Sequence, residues 1–404
     1  MLYYLFKYMV RLALTVFYRR RVFTGWDQIP VSGPVIFACN HPNSFLDAMI
    51  IGAFIKRETH FLARSDVFNT PLKLWILSQF KMMPIYRLSE GKEDLGKNKD
   101  TFDKCHEVFR KGGAVLMFSE GLCIQEMRLR PLKKGTARIA MEYSKDGSRL
   151  MVIPTGFNYI KPMRFREDIL ISMDTPFNAA DFAVEYNESQ AKGIQSFNNR
   201  LREGLQNGVI DIRDKKNEKA IEQLVEIEYN NGADLKKLIE IVKPAYSEED
   251  LAALGDYRAA LEKYDVRDEI VGGKKTSAFL AIPATLIFGL AFWFYLIPIA
   301  PALNIVKKKI RLVEFKDSVL IGASVVFTFF YWIVLFFAVG AIVNFRIPTT
   351  LILLMMMIAL LAGPAYEVMR TVRNQNNANK STLEKQRASV LHLVKPHQAH
   401  HPVG

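Results

Sequence analysis

Three stretches in the last third of this chain carry no charged side chain: Thr276–Val306, Ser318–Asn344 and Ile347–Tyr366. Each has the roughly 20 apolar residues that a helix needs to cross a hydrocarbon layer, where every backbone polar group must be satisfied internally. A long core helix would explain any one of them, but three in succession read as transmembrane helices. Because no acidic or basic residue lies inside any run, they read as an anchor rather than as the pathway of a transporter. Basic clusters flank the runs: Lys274 and Lys275, then Lys307, Lys308, Lys309, Arg311 and Lys316, then Arg370 and Arg373. Cations favour the cytoplasmic side. All three clusters share that side if the first run, which holds Pro283, Pro298 and Pro301, breaks at a proline so that it enters and returns, or lies shallow. The second and third runs then form one spanning hairpin.

The rest of the 404 residues do not look like a membrane bundle, since 24% of the chain is charged and the formal balance is +13. An excess of this size calls for an acidic partner, and the apolar runs favour a bilayer or a phosphorylated lipid over nucleic acid, for which no motif is present. Cys39, Cys105 and Cys123 are odd in number and irregular in spacing, which argues against a disulfide framework. No metal-ligand spacing occurs in the body of the chain. His392, His397, His400 and His401 read as part of a solvated tail.

Leu2, Leu5, Phe6, Met9, Leu12, Ala13, Val16 and Phe17 follow a helical period, with Arg19, Arg20 and Arg21 directly after. This is the pattern of a helix lying in a membrane interface with a basic edge, or else of a helix packed on a core. From Trp26 to Pro176 short apolar runs alternate with helical stretches. Residues 35–39, 59–63, 114–118, 151–154 and 169–173 predict buried strands, and 46–55, 71–79, 94–111 and 134–143 predict helices. The fold class is therefore α/β, a mixed sheet flanked by helices, with a helical insert and C-terminal transmembrane helices. The expected divisions are 1–24 interfacial helix, 25–177 α/β domain, 178–272 helical insert, 273–370 membrane anchor and 371–404 polar tail. In the insert, Ser247 followed by Asp250 predicts a helix N-cap.

The chemistry concentrates in Asn40-His41-Pro42-Asn43-Ser44-Phe45-Leu46-Asp47, between a strand and a helix. A histidine there can take a proton near neutrality, and a nearby carboxylate can fix its tautomer. Ser44 and Asp47 also have the spacing of a capping box, so Asp47 has a structural reading as well. Three more blocks follow: Pro84-Ile85-Tyr86-Arg87, Phe118-Ser119-Glu120-Gly121 with Pro131-Leu132-Lys133-Lys134-Gly135 after it, and Val152-Ile153-Pro154-Thr155.

In this order and at these separations the blocks resemble the glycerol-phosphate and lysophosphatidate acyltransferase family, over roughly residues 25–175. The resemblance implies that His41 is the general base, with Asp47 orienting it. It implies that Arg87, Glu120 and Gly121 hold the glycerol phosphate, and that Pro154 shapes the acyl-donor side. Lys133 and Lys134, at a helix N-terminus, are suited to the same phosphate. It further implies a glycerol-phosphate lipid acceptor, acyl-coenzyme A or acyl carrier protein as co-substrate and no further cofactor, while the basic clusters put the catalytic domain on the cytoplasmic face of a membrane. The chain departs from the family pattern at three points. Five residues rather than four separate His41 from Asp47, Ser119 replaces a proline, and Leu122-Cys123 stand where Thr-Arg is usual. Arg128 or Arg130 could then take over part of the phosphate grip. Other readings are a non-catalytic lipid-binding scaffold or a small transporter.

Overall fold

The computed structural model describes residues 2–86, 98–161 and 164–394. In chain order its first part contains α1 (Leu2–Phe17), β1 (Arg21–Thr24), β2 (Val35–Cys39), α2 (Ser44–Phe54), β3 (Thr59–Arg64), α3 (Pro71–Gln79), β4 (Met82–Ile85), α4 (Asn98–Arg110), β5 (Ala114–Phe118), α5 (Lys134–Ser144), β6 (Met151–Tyr159), β7 (Ile169–Met173), β8 (Phe177–Asn178), α6 (Ala183–Glu188) and α7 (Gln190–Gln206). The strands form one mixed sheet in the order β1-β7-β6-β2-β5-β3-β4, with β8 also on β6. β6, β2, β5, β3 and β4 run parallel, and β7 is antiparallel to β6.

Parallel strands covered on both faces need continuous apolar sequence, which is why β2 reads Val-Ile-Phe-Ala-Cys and is buried throughout. Alternate residues divide between two cores. Ile36, Ala38, Val115, Met117 and Val152 pack with Ile139 of α5 and Phe197 and Leu201 of α7. Val35, Phe37, Cys39, Leu116, Ile153, Phe157 and Tyr159 pack on the other face with Leu46, Ile50 and Ile51 of α2 and Leu14 of α1.

All five expected strands form. β6 extends five residues beyond its expected end at Pro154, because β7 pairs antiparallel with Thr155–Tyr159 after β2 has ended. The edge strands β1 and β4 were not expected. Both are four residues long, β1 follows a charged run, and β4 contains Pro84, which an edge tolerates. Helix α1 takes the packed reading rather than the purely interfacial one, since Leu14 and the following Tyr18 are buried, while Tyr4, Leu5 and Tyr8 remain exposed. Its basic edge is used internally. Arg19 and Arg20 donate to Asp168, and Arg21 donates to the Tyr18 carbonyl at 2.8 Å. Burial alone would raise the Asp168 carboxyl, but the two guanidiniums hold it down at about 2.

The chain divides into two compact units. One comprises Met1–Met163, Asp168–Val209 and Ile297–Val334. Helices α6 and α7, which the sequence assigned to the insert, therefore belong with the sheet. The other comprises Arg164–Glu167, Ile210–Leu296 and Leu335–Gly404. Its helices are α8 (Glu218–Asn230), α9 (Leu235–Ile241), α10 (Glu248–Tyr264) and α11 (Asp268–Val271), and Ser247 caps α10 as expected. Buried Asp268 accepts bonds from Tyr257, Arg387 and Asn230 at 2.8 Å each.

Among the described residues three helices are long and apolar enough to cross a membrane: α12 (Ala281–Lys309), α13 (Lys316–Ile342) and α14 (Arg346–Gln375). Helix α12 continues through Pro298 and Pro301, so the expected break is absent. The polar tail is not wholly solvated either. Within it α15 (Lys380–Val390) buries Leu383 and Val390, and the His392 imidazole lies 3.0 Å from Asp250. His397, His400 and His401 lie outside the described residues.

Candidate active site

Parallel strands end on one side of a sheet, and side chains just beyond those ends converge there. Strand β2 ends at Cys39, and Asn40 fixes the chain that leaves it. The Asn40 side chain donates to the Phe157 carbonyl at 3.1 Å and accepts the Phe157 N–H at 2.7 Å. His41 comes next, with its backbone held twice. Its N–H donates to Glu120 Oε2 at 3.0 Å, and its carbonyl accepts the Ile124 N–H at 3.3 Å. The imidazole stacks on Phe118, the last residue of β5, with centroids 3.5 Å apart.

His41 Nδ1 and Asp47 Oδ2 are 3.1 Å apart, and both side chains are buried. Pro42 keeps His41 out of the helical region, as residues before proline are. The chain then turns through Asn43 (φ −140°, ψ 58°) and Ser44, a non-glycine residue with φ +43°. That turn absorbs the extra residue between His41 and Asp47. The N-cap position is Asn43, not Ser44, so the capping box expected at Ser44 and Asp47 does not form. Asp47 nevertheless does accept the Asn43 N–H, at 2.9 Å, through the same Oδ2 that faces His41.

A residue that the sequence blocks did not single out completes the arrangement. The Tyr159 hydroxyl donates to Asp47 Oδ1 at 2.5 Å. Burial first, then the Asp47 charge, pushes the Tyr159 phenol well above its ordinary range, so it stays protonated and donates. Only its place on the α2 side of β6 could have signalled this, by alternation from Phe157, and that signal needs β6 to extend past Pro154.

Glu120 is a clamp, since its two oxygens accept the N–H groups of His41 and Arg130, the latter at 2.8 Å. Burial raises its carboxyl, against the pull of those two bonds. Gly121 turns with φ +71°, and a Cβ there would come within 2.9 Å of Lys133 Cγ. Lys133 and Lys134 are exposed at the start of α5, and the Lys133 N–H bonds the Ser119 carbonyl at 2.7 Å. Ser119 reaches Thr136 at 3.0 Å, tying the loop to α5 where a proline was the family pattern. Arg130 is engaged inside its own loop, by Glu126 at 2.6 Å and the Ile124 carbonyl at 3.0 Å. The Pro154 ring faces α7, on the opposite side of the sheet from Asp47, where a Cβ at Gly204 would meet it at 2.5 Å. It is a packing residue in this structure. Arg87 lies outside the described residues.

Cys123 is no nucleophile. Its sulfur accepts the Ser44 N–H at 2.8 Å, and burial pushes the thiol up to about 12. Among the described residues no group of three His, Cys, Asp or Glu side chains is placed to hold a metal ion.

Comparison with known proteins agrees with the blocks. Residues 20–158 match the family model described as Acyltransferase. The chain is 28% identical over 135 residues to the 1-acyl-sn-glycerol-3-phosphate acyltransferase BAT2, chloroplastic, of Brassica napus, a match covering 33% of this chain and 37% of that protein. It is 24% identical over 200 residues to the 1-acyl-sn-glycerol-3-phosphate acyltransferase LPAT1, chloroplastic, of Arabidopsis thaliana, covering 47% of this chain and 52% of that one. The matches thus span about a third to a half of these curated relatives. Among solved structures, the 1-acyl-sn-glycerophosphate acyltransferase PlsC of Thermotoga maritima aligns at 18% identity with a TM-score of 0.37, over 50% of this chain and 78% of that one. The family model and the plant relatives bear out the resemblance read from the four sequence blocks.

Proposed function

We propose that this protein, whose residues 20–158 match the family model described as Acyltransferase, transfers a fatty acyl group from a thioester to the free hydroxyl of lysophosphatidate, making phosphatidate at a membrane. The observation that carries the reading is the buried His41–Asp47 pair at the end of β2, inside the matched domain.

The His41–Asp47 pair supports a general-base step. Asp47 holds the proton of His41 on Nδ1, which leaves the lone pair on Nε2 to take the proton of the acceptor hydroxyl. The resulting alkoxide attacks the thioester carbonyl, and the tetrahedral intermediate collapses with loss of the thiolate. His41 returns its proton to the departing sulfur. The products are an ester and a free thiol, and no acyl-enzyme is required. Asp47 stabilises the imidazolium that forms between the two proton transfers. Tyr159, Asn43 and Asn40 hold that carboxylate and the histidine segment in place.

The phosphate falls to Arg87, Lys133 and Lys134. The lysines are supported by their position at the α5 N-terminus, where the helix dipole favours an anion. The donor is an acyl chain on coenzyme A or acyl carrier protein. The catalytic domain lies on the cytoplasmic face, with α12 lying shallow and α13 and α14 as a spanning hairpin. The test is an assay of the reconstituted full chain with acyl-coenzyme A and a panel of acceptors: lysophosphatidate, glycerol 3-phosphate and neutral lysophospholipids. Preference for lysophosphatidate supports the reading. Acylation of glycerol 3-phosphate alone would move the enzyme one step earlier, and no acylation at all would leave a lipid-binding scaffold.

A further inference from the structure

A short basic connector joins α12 to α13. Lys307, Lys308, Lys309 and Arg311 are exposed and Lys316 is half-buried, while of the two acids nearby Asp317 is buried. The family match ends at residue 158, so nothing in it accounts for this segment.

The connector lies beside the catalytic dyad. Its helical turn Val313–Phe315 packs against α2, the helix that carries Asp47. Three turns of α13 follow against the same domain, with Ser318, Ile321 and Val325 buried. Phe45 of α2 rests so close to Gly322 that a Cβ there would meet its ring at 3.3 Å. Glu314 is near enough to the Cys123 thiol to help raise it, and Cys123 is bonded to the Ser44 N–H. The cationic segment therefore borders the rim of the His41 site.

That rim is apolar and exposed: Phe45, Leu122 and Ile124 from the domain, Leu312 and Val313 from the connector. A row of cations beside an exposed apolar rim, at the meeting ends of two helices long enough to span, matches the layering of a leaflet. Phosphates lie at one level and acyl chains just below it.

We infer that Lys307–Lys316 binds the anionic phospholipid headgroups of the leaflet that carries the acceptor. The apolar rim is thereby seated in the acyl-chain layer, and the acceptor reaches His41 sideways without leaving the membrane. The inference rests on the acyl-acceptor reading above. Each cation near an anionic surface is worth roughly fivefold in binding, before screening.

The test uses the full chain reconstituted in vesicles of phosphatidylcholine, with or without phosphatidylglycerol. Wild type is compared with a variant carrying Lys307→Gln, Lys308→Gln, Lys309→Gln and Arg311→Gln. Two acceptors are assayed, a long-chain lysophosphatidate in the vesicle and a short-chain, water-soluble one. For wild type, phosphatidylglycerol should lower the KM of the embedded acceptor by about tenfold or more. The variant should lose that response and keep wild-type turnover of the soluble acceptor. A variant that keeps the response overturns the inference. Wild type inactive on both acceptors would overturn the catalytic reading instead. Should the variant fail to insert, salt decides on wild type alone. The phosphatidylglycerol response must fade as the Debye length shrinks toward about 3 Å near 1 M salt, and a response indifferent to salt overturns the inference.

Discussion

Replacing Asp47 with asparagine changes one charge and almost no volume, and the structure says where each bond would go. Asp47 accepts three donors, with His41 and the Asn43 N–H on Oδ2 and the Tyr159 hydroxyl on Oδ1. The Asn43 N–H cannot reverse, so it draws the carboxamide oxygen to the Oδ2 position. The new amide nitrogen then faces Tyr159, whose hydroxyl rotates to accept. Every bond survives in neutral form, and the His41 tautomer is kept. Stability should change by about 1 kcal/mol, the difference between charged and neutral hydrogen bonds partly offset by burying no charge. Catalysis loses the carboxylate that stabilises the imidazolium. Triad Asp→Asn substitutions that also scramble the tautomer cost about 10⁴-fold. With the tautomer retained, kcat for Asp47→Asn should fall by about 10²- to 10³-fold, or roughly 3–4 kcal/mol of barrier. The assay is steady-state turnover of the reconstituted protein, with thermal melting alongside. A variant slightly less stable but fully active would reduce Asp47 to a helix cap and refute the reasoning.

Tyr159→Phe removes the donor to Oδ1 and leaves the ring in its pocket. Its kcat should drop by about tenfold with both KM values unchanged, the worth of one charge-assisted bond, and a rise in acceptor KM instead would take Tyr159 out of the dyad's support. Asp168 sits at about 2 in the fold against an ordinary 3.8, so its contribution is full above pH 4 and is lost as pH falls from 4 toward 2. That contribution is about 2 kcal/mol. The acid-unfolding curve of Asp168→Asn should lack that slope, and curves parallel to wild type would contradict the assignment to Arg19 and Arg20. A cysteine placed at Lys308 should react with an impermeant thiol reagent only from the side of the catalytic domain, because the connector packs on α2. Labelling from the opposite face would overturn the topology.

The sheet was legible because its central strands are buried on both faces and so are spelled as unbroken apolar runs, as in Val35–Cys39 and Ala114–Phe118. The edges were not, since β1 and β4 are short and half-covered and carry no such run. The His41–Asp47 pair was legible as a motif, and Pro42 gave the reason that the two could meet. The supporting shell was less so. Tyr159 and Asn40 meet their partners 112 and 117 residues away, through strand alignment that no local pattern encodes. The arginines after α1 looked like a membrane edge because a charge run does not say which of its members has a buried partner. Arg19 and Arg20 share Asp168 across the sheet edge. The continuity of α12 through Pro298 and Pro301 likewise goes against a local rule, as apolar helices can keep a proline where packing supports them.

The most direct measurement follows ester formation and thiol release together. Purified full-length protein in vesicles receives acyl-coenzyme A and lysophosphatidate, and wild type is compared with His41→Ala at equal folded concentration. Phosphatidate and free coenzyme A should appear one for one with wild type. The alanine variant should lose about 10²- to 10⁴-fold in kcat while melting as wild type does. Equal turnover by His41→Ala, or thiol release without ester, would contradict the account.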